Sequence, residues 1–197
     1  MTKQEIARLI MNTQYNYPKS YADFLNTEYG ILYFNENNPF SNDSNHAVIT
    51  ISGDKSDYGK IVENIKEFYM SKKIPPCIYS NYIPGQLDEI KDSLIKCSFT
   101  FYVFNNSYLI HTGECKISIP CSLTIRRIEK NDDFSFIHKI WGASENKSSG
   151  ANRVYNIAIN RKDWTNYNLF VGYLDDGTPV TAAAVEYIGG VGMVDDV

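Results

Sequence analysis

The last thirty residues of the 197-residue chain constrain its fold most, because they form a pattern of three strands separated by two turns. Residues 169–174 are apolar and rich in β-prone side chains, and the Asp-Asp-Gly-Thr stretch that follows is a hairpin signal. Residues 179–188 predict a second strand, and a Gly-Gly pair then turns the chain into a third strand at 191–197. The end of the chain therefore predicts three consecutive strands.

Residues 122–167 add one strand and two helices ahead of these three strands. The LTIRRIEKND stretch predicts a strand that ends in a polar turn. Phe134, Ile137, Ile140 and Trp141 have the spacing of one helix face. After a polar loop at 145–150, residues 153–161 predict a second helix. The predicted order from residue 122 onward is strand, helix, helix, strand, strand, strand.

Residues 1–117 predict a second set of helices and strands. The clearest helix has Ser56 or Asp57 as its cap and an apolar stripe at helical spacing, made of Tyr58, Ile61, Val62, Ile65, Phe68 and Tyr69. The other predicted helices are residues 2–14 capped by Thr2, residues 18–25 starting at Pro18, and a helix opened by Pro84. The predicted strands are residues 29–34, 46–51, 77–83, 99–104 and 108–112.

Composition describes a globular chain rather than a disordered or a nucleic-acid-binding one. Hydrophobic residues make up 43% and charged residues 21%, and the net charge is −4 without any cluster of Lys and Arg. The content of 15 Tyr suggests packed sheet faces, although Tyr is also common where ligands lie. The chain has no apolar run long enough to cross a membrane and no leader-like N-terminus. We therefore expect a soluble, cytoplasmic protein that binds neither nucleic acid nor membranes.

Neither the cysteines nor the histidines form a chemical motif. The four cysteines, Cys77, Cys97, Cys115 and Cys121, are too scattered for a disulfide framework and have no zinc spacing, so we expect buried free thiols. The three histidines, His46, His111 and His138, are far apart in the sequence and predict no metal site.

The strand and turn pattern of residues 169–197, ending in Val194-Asp195-Asp196-Val197, resembles strands two to four of the GNAT superfamily of N-acetyltransferases. The strand–helix–strand–helix–strand order of residues 46–104 resembles the later half of the same fold. This resemblance implies an α+β (or α/β) fold with GNAT-like mixed sheets flanked by helices. Residues 1–117 would form a reduced GNAT-like domain, 118–121 a linker, and 122–197 the first half of a second domain.

Two alternatives concern how these parts assemble. In one, both parts contribute to a single permuted domain with one continuous sheet; we rank it below the tandem arrangement because residues 2–34 already supply an opening half. The strand at 191–197 would also not be left unpaired. We expect it to pair with its counterpart in a homodimer, or else with residues 77–83 of the same chain.

The resemblance implies acetyl-coenzyme A as co-substrate of the complete family fold, but the sequence lacks the loop that binds its pyrophosphate. That loop, R/Q-x-x-G-x-G/A, occurs nowhere in the chain; the stretch after the strand at 46–51 is SGDKSDYGK, and the chain ends before the loop would follow residue 197. A helix start that binds pyrophosphate needs free backbone N–H groups and close approach over glycine. We therefore expect no acetyl-coenzyme A to bind to this chain.

The same resemblance implies roles for two residues. The backbone amide of Val197 would face the acyl carbonyl of the cofactor, and Asp195 would bind or deprotonate the amine. Asp195 and Asp196 point to opposite sides of a regular strand, so one of them can face a cleft while the other faces outward. Glu186 is a further catalytic candidate because it lies on the preceding strand and could pair near this site. The alternatives are that both aspartates are solvated and that Glu186 is an exposed strand residue.

The family's activity is transfer of an acyl group from a coenzyme A thioester to a primary amine on a small molecule. Tyr155 and Trp164 would flank the place where that acceptor enters, although their spacing suits core packing equally well. The alternative function is a non-catalytic GNAT-derived module for dimerisation or ligand sensing, which the missing phosphate loop favours for this chain.

Overall fold

A computed structural model describes residues 1–51, 57–81, 85–102, 113–114, 122–142 and 148–195, and for Leu87, Ser148, Ser149 and Asp195 only the backbone. The described part is an α+β protein with five α-helices and two four-stranded sheets. The helices are α1 (Lys3–Asn16), α2 (Tyr58–Ser71), α3 (Gln86–Lys96), α4 (Phe136–Gly142) and α5 (Ser148–Ile159), with a 3₁₀ helix at Tyr17–Ser20. The strands are β1 (Asp23–Asn26), β2 (Gly30–Phe34), β3 (His46–Ile49), β4 (Ile78–Tyr79), β5 (Thr124–Ile128), β6 (Tyr167–Tyr173), β7 (Pro179–Ile188) and β8 (Val191–Asp195).

The first sheet has the order β1-β2-β3-β4. Its first three strands are antiparallel neighbours, whereas β3 and β4 are parallel. A parallel pair needs a crossover between its strands, and α2 lies on that crossover in the sequence. The apolar stripe of α2 is buried as predicted, at Tyr58, Ile61, Val62, Ile65 and Tyr69, and packs with Leu32, Ala47 and Ile49 of the sheet.

The second sheet has the order β5-β6-β7-β8, and all its neighbours are antiparallel. The two predicted turns of this sheet are present, and glycines in them adopt positive φ angles. Gly177 has φ +80° between β6 and β7, and Gly189 and Gly190 have φ +57° and +83° between β7 and β8. Helices α4 and α5 pack with this sheet around Ile137, Tyr167 and Val171.

Three predicted elements of the first 117 residues differ in the structure. Residues 18–25 are not a helix: after the 3₁₀ helix, Asp23–Asn26 pairs antiparallel with β2. Pairing with the next strand in the sequence outweighs the local helical spacing here. The strand predicted at 77–83 is confirmed only at Ile78–Tyr79 among the described residues. Residues 99–102 are not a strand, and the strand predicted at 108–112 lies outside the described residues.

The single continuous sheet of the permuted arrangement is wrong, because the described strands form two separate sheets, one from residues 23–79 and one from residues 124–195. Within the described part, β8 pairs with β7 and β4 pairs with β3, so the strand at 191–195 is not paired with residues 78–79.

We call the first sheet with α1, the 3₁₀ helix, α2 and α3 the first unit, and the second sheet with α4 and α5 the second unit. These two sheet units contact each other through a third, smaller core. Tyr21, Ala22, Tyr33 and Val48 are buried in it, and Ile157 of α5 packs against them. The backbone N–H of Lys162 donates to the Ser20 carbonyl at 2.6 Å, and Lys162 Nζ donates to the Ala22 carbonyl at 3.0 Å. Helix α1 also approaches β8, and its Asn12 side chain lies against Gly189. The two parts therefore meet along α1, the 3₁₀ helix and α5.

Candidate functional site

A cleft of about 250 Å³ lies where the two sheet units meet. Its wall comes from the end of α1 and the 3₁₀ helix, from β3 and β4 with the loop before β3, and from α5. The lining residues are Gln14, Tyr15, Tyr17, Pro18, Tyr21, Asp43, His46, Val48, Tyr79, Ser80, Val154 and Ile157. Four tyrosines, one histidine and one carboxylate thus converge on a cleft that neither unit encloses alone.

His46 is the central ring of a stack of three. Its ring centroid lies 4.2 Å from that of Tyr79 at an interplanar angle of 19°, and 4.8 Å from that of Tyr33 at 38°. Nδ1 lies 2.9 Å from the Asn42 carbonyl oxygen, which can only accept, so we assign the proton of the neutral ring to Nδ1. Burial lowers the pKa of His46 to about 4, so the ring is neutral near pH 7.

Asp43 supplies the negative charge at this cleft. The Tyr79 hydroxyl donates to Asp43 Oδ1 at 3.3 Å, and the Tyr21 hydroxyl donates to the Asp43 carbonyl at 3.4 Å. The pKa of Tyr79 is raised, mainly by burial and next by the negative charge of Asp43. The positive charge of Arg153 has a smaller effect in the opposite direction. Tyr79 is therefore a neutral hydrogen-bond donor held in place by Asp43.

Two side-chain amides close the region beside the carboxyl end of β3. Asn81 Nδ2 and Gln86 Nε2 both donate to the Ile49 carbonyl, at 2.8 Å and 2.6 Å. The Tyr15 hydroxyl donates to the Asn81 carbonyl at 2.8 Å, which ties α1 to the segment after β4. Burial raises the pKa of Tyr15, so this donor also stays protonated. These bonds hold the α1 side of the cleft against the first sheet.

A buried ion pair holds the two units together next to the cleft. Arg161 Nη1 donates to Glu186 Oε2 at 2.6 Å and to Ser20 Oγ at 2.9 Å, and the Arg161 side chain is 0% exposed. The guanidinium carbon lies 3.5 Å from the Tyr167 ring centroid and 5.5 Å from that of Tyr21. Burial raises the pKa of Glu186, and Arg161 acts in the opposite direction. The cluster joins Ser20 and Tyr21 of the first unit to three residues of the second.

Glu186 is 4% exposed, so the alternative that it is an exposed strand residue is wrong. Its carboxylate is engaged by Arg161 rather than facing the cleft lining. The backbone of Asp195 lies opposite Ala184, two residues along β7 from Glu186, while Asp196 and Val197 lie outside the described residues. The catalytic role of Asp195 and the cofactor contact of Val197 therefore stay predictions.

The aromatic residues suggested to flank the acceptor pack in the second core. Trp164 has its ring centroid 5.6 Å from that of Phe134 and 5.5 Å from that of Tyr167, and Tyr155 lies 4.9 Å from His138. Both side chains pack against the cluster around Ile137 and Leu169. Their spacing thus reflects core packing. Of the four cysteines, Cys77 and Cys97 are free and half-buried, and the other two lie outside the described residues.

No local sequence pattern marks the cleft residues as a group. Tyr15, Tyr17 and Tyr21 lie close together in the sequence, and this density of tyrosines was the available signal. His46, Asp43 and Tyr79 join them only through the pairing of β3 with β4 and the packing of α1. The spacing of the histidines predicts no metal site and gives no other role for His46, whose ring stacks between two tyrosines in the structure.

Comparisons with known proteins do not supply a family for the chain. No family model, curated protein or solved structure matches it. Among the described helices, none has the length and apolar character that crossing a bilayer requires. The described residues also contain no group of three or more His, Cys, Asp or Glu side chains that could hold a metal ion.

Proposed function

We propose that this protein binds a small organic molecule in the cleft between its two sheet units. The cleft itself carries the proposal: a concave site with aromatic and aliphatic walls and a few convergent polar groups is the usual form of a small-molecule site. Its volume of about 250 Å³ lies just below the range of roughly 300–1,000 Å³ typical of ligand pockets, which favours a ligand of one or two rings. The protein would act as a ligand-binding module of GNAT-like architecture.

Titration of ¹⁵N-labelled protein with a library of small soluble fragments tests this proposal. We expect binders to shift the backbone amides of Tyr21, His46 and Tyr79 together, because these residues share one cleft. Gln14→Trp places a large side chain at the cleft wall and should abolish those shifts. Lys3→Trp, at the other end of α1, is the matched control and should leave them intact. Shifts confined to surfaces away from the cleft would contradict the proposal.

Acyl transfer is the second candidate function. It is supported by the strand–helix–helix–strand–strand–strand order of β5, α4, α5, β6, β7 and β8, and by the parallel crossover of β3, α2 and β4 in the first unit. A complete form would use acetyl-coenzyme A to acylate a small-molecule amine, with Asp195 as the group that binds or deprotonates the amine. Within residues 1–197 no R/Q-x-x-G-x-G/A pattern occurs, so we expect this 197-residue stretch by itself not to bind acetyl-coenzyme A appreciably.

Calorimetry with acetyl-coenzyme A tests the expectation that this chain does not bind the cofactor appreciably. We expect no measurable heat of binding; an affinity in the micromolar range would contradict that expectation and favour acyl transfer by the chain itself. If a form with transferase activity is obtained, we expect Asp195→Asn to lower turnover by about 10²–10⁴-fold, as for loss of a positioned base. Asp196→Asn is the matched control, and equal effects of the two substitutions would argue against a role specific to Asp195.

We also propose that the protein forms a homodimer through the strand at 191–197. Among the described strands, β8 lies at the edge of its sheet with β7 on one side. A strand edge exposes backbone N–H and C=O groups, which favours pairing with a second copy.

A further inference from the structure

We propose that the cleft selects a planar aromatic ring that carries a hydrogen-bond donor at its edge, and that this ring stacks on Tyr79. The inference rests on the proposed binding function and names the class of ligand. The ligand would be the fourth ring of the stack that begins with Tyr33 and continues through His46 and Tyr79.

Among the described residues of the stack, Tyr79 is the most exposed ring and lines the cleft. Tyr33 is 0% exposed and His46 is 4% exposed, whereas Tyr79 is 38% exposed. One face of the Tyr79 ring lies against His46, and Tyr79 also lines the cleft. A flat ring placed on the face of Tyr79 opposite His46 would continue the stack at the separation that aromatic pairs prefer.

The rings of the stack are held in place before any ligand arrives. The Tyr33 hydroxyl donates to the Tyr15 carbonyl at 2.6 Å, His46 is bonded to the Asn42 carbonyl, and the Tyr79 hydroxyl is bonded to Asp43. A preorganised surface loses little conformational entropy on binding, so it binds a rigid flat ligand well. A puckered ring of the same size cannot make the same face-to-face contact.

Asp43 gives the site its requirement for a donor. A carboxylate only accepts hydrogen bonds and has about four acceptor positions, of which the Tyr79 hydroxyl uses one. The remaining positions suit an N–H or O–H at the edge of the ligand ring. Val48, Val154 and Ile157 supply apolar contacts elsewhere in the cleft, where a second polar edge would lose its water without compensation.

Dissociation constants of phenol, cyclohexanol and anisole, measured from amide shifts of ¹⁵N-labelled protein, test the inference. Phenol and cyclohexanol have the same ring size and hydroxyl but differ in planarity, and anisole is planar but has no donor. We expect phenol to bind about three- to tenfold more tightly than cyclohexanol because of stacking. We also expect it to bind about tenfold more tightly than anisole because of the bond to Asp43.

Substitutions assign each preference to its residue. Tyr79→Leu should remove the preference for phenol over cyclohexanol, whereas Tyr79→Phe, which keeps the ring, and Tyr102→Leu, an exposed tyrosine outside the cleft lining, should retain it. Asp43→Ala should remove the preference for phenol over anisole, and Asp92→Ala on α3 should not. Equal binding of the three compounds in the cleft would overturn this inference and leave the proposed function standing. Absence of any shift at the cleft amides would overturn both.

Discussion

Arg161 carries a positive charge that is fully buried at the contact between the two units. Its side chain is 0% exposed, and its only hydrogen-bond acceptors among the described residues are Glu186 and Ser20. Nε and Nη2 have no acceptor there, and the guanidinium carbon lies 3.5 Å from the Tyr167 ring centroid. A buried guanidinium is tolerated because a carboxylate and an aromatic face surround it.

Arg161→Met should therefore lower the free energy of unfolding by about 3–5 kcal/mol, because it leaves the Glu186 carboxylate buried without its positively charged partner. Urea unfolding followed by circular dichroism measures this loss. The double variant Arg161→Met/Glu186→Leu should lose less than Arg161→Met alone, since no charge then remains buried. Arg126→Met is the matched control: its bond to Asp132 is 2.8 Å long, but the side chain is 58% exposed, so the loss should be about 0–1 kcal/mol. A double variant less stable than the single one would contradict this account.

His46 makes the stability of the fold depend on pH. Its pKa is about 4 in the folded chain and about 6.5 when unfolded, so between these values the unfolded chain takes up a proton that the folded chain does not. Stability should therefore fall as the pH falls from about 6.5 to about 4, by roughly 3 kcal/mol at most.

Urea unfolding at several pH values, compared with His46→Phe, measures this contribution. The variant keeps an aromatic ring between Tyr33 and Tyr79 but cannot take up a proton. The raised pKa of Glu186 has the opposite pH dependence in both proteins, so it cancels in the difference. Parallel curves for the two proteins would rule out His46 as the source.

At the scale of the elements, two glycines in the first unit should respond oppositely to the same substitution. A Cβ atom at Gly30 of β2 would lie 2.0 Å from the Val48 carbonyl oxygen on β3, so Gly30→Ala should separate these strands and cost about 1–3 kcal/mol or more. A Cβ atom at Gly59 of α2 would meet no described residue within 4 Å, so Gly59→Ala should stabilise the helix by about 0.5–1 kcal/mol. Thermal unfolding of both variants measures the contrast, and a stabilising Gly30→Ala would show that the β2–β3 register is different.

At the scale of the whole molecule, the exposed edge of β8 should make the protein a dimer. Light scattering after size exclusion should give twice the 22.5 kDa mass of the chain. Val194 is 65% exposed on β8, and Val194→Lys should give a monomer because a charge at a strand edge opposes pairing. Val180→Lys on the interior strand β7 is the control and should remain a dimer. A monomeric protein whose amides at 191–195 exchange freely would contradict the dimer.

Local patterns predicted most of the elements. The stripe of α2, the N-terminal helix with Thr2 as its cap, and the strand at 179–188 are confirmed. In each case the interactions that define the element lie within a few residues of one another, either as a helical face, a cap or an alternating strand next to a glycine turn. The GNAT resemblance and the roles of Asp195 and Val197 stay predictions.

Tertiary structure alone decided the cleft and the junction. Residues 23–26 form a strand because they pair with β2. Glu186 is buried because Arg161, which follows α5, and Ser20 of the 3₁₀ helix both contact its carboxylate. The cleft joins Tyr15 to Asp43, His46 and Tyr79, which are brought together by the pairing of β3 with β4 and the packing of α1. A local pattern records how a segment buries its own apolar face, but it holds no information on which distant segment will supply the partner for a buried charge or the opposite wall of a cleft.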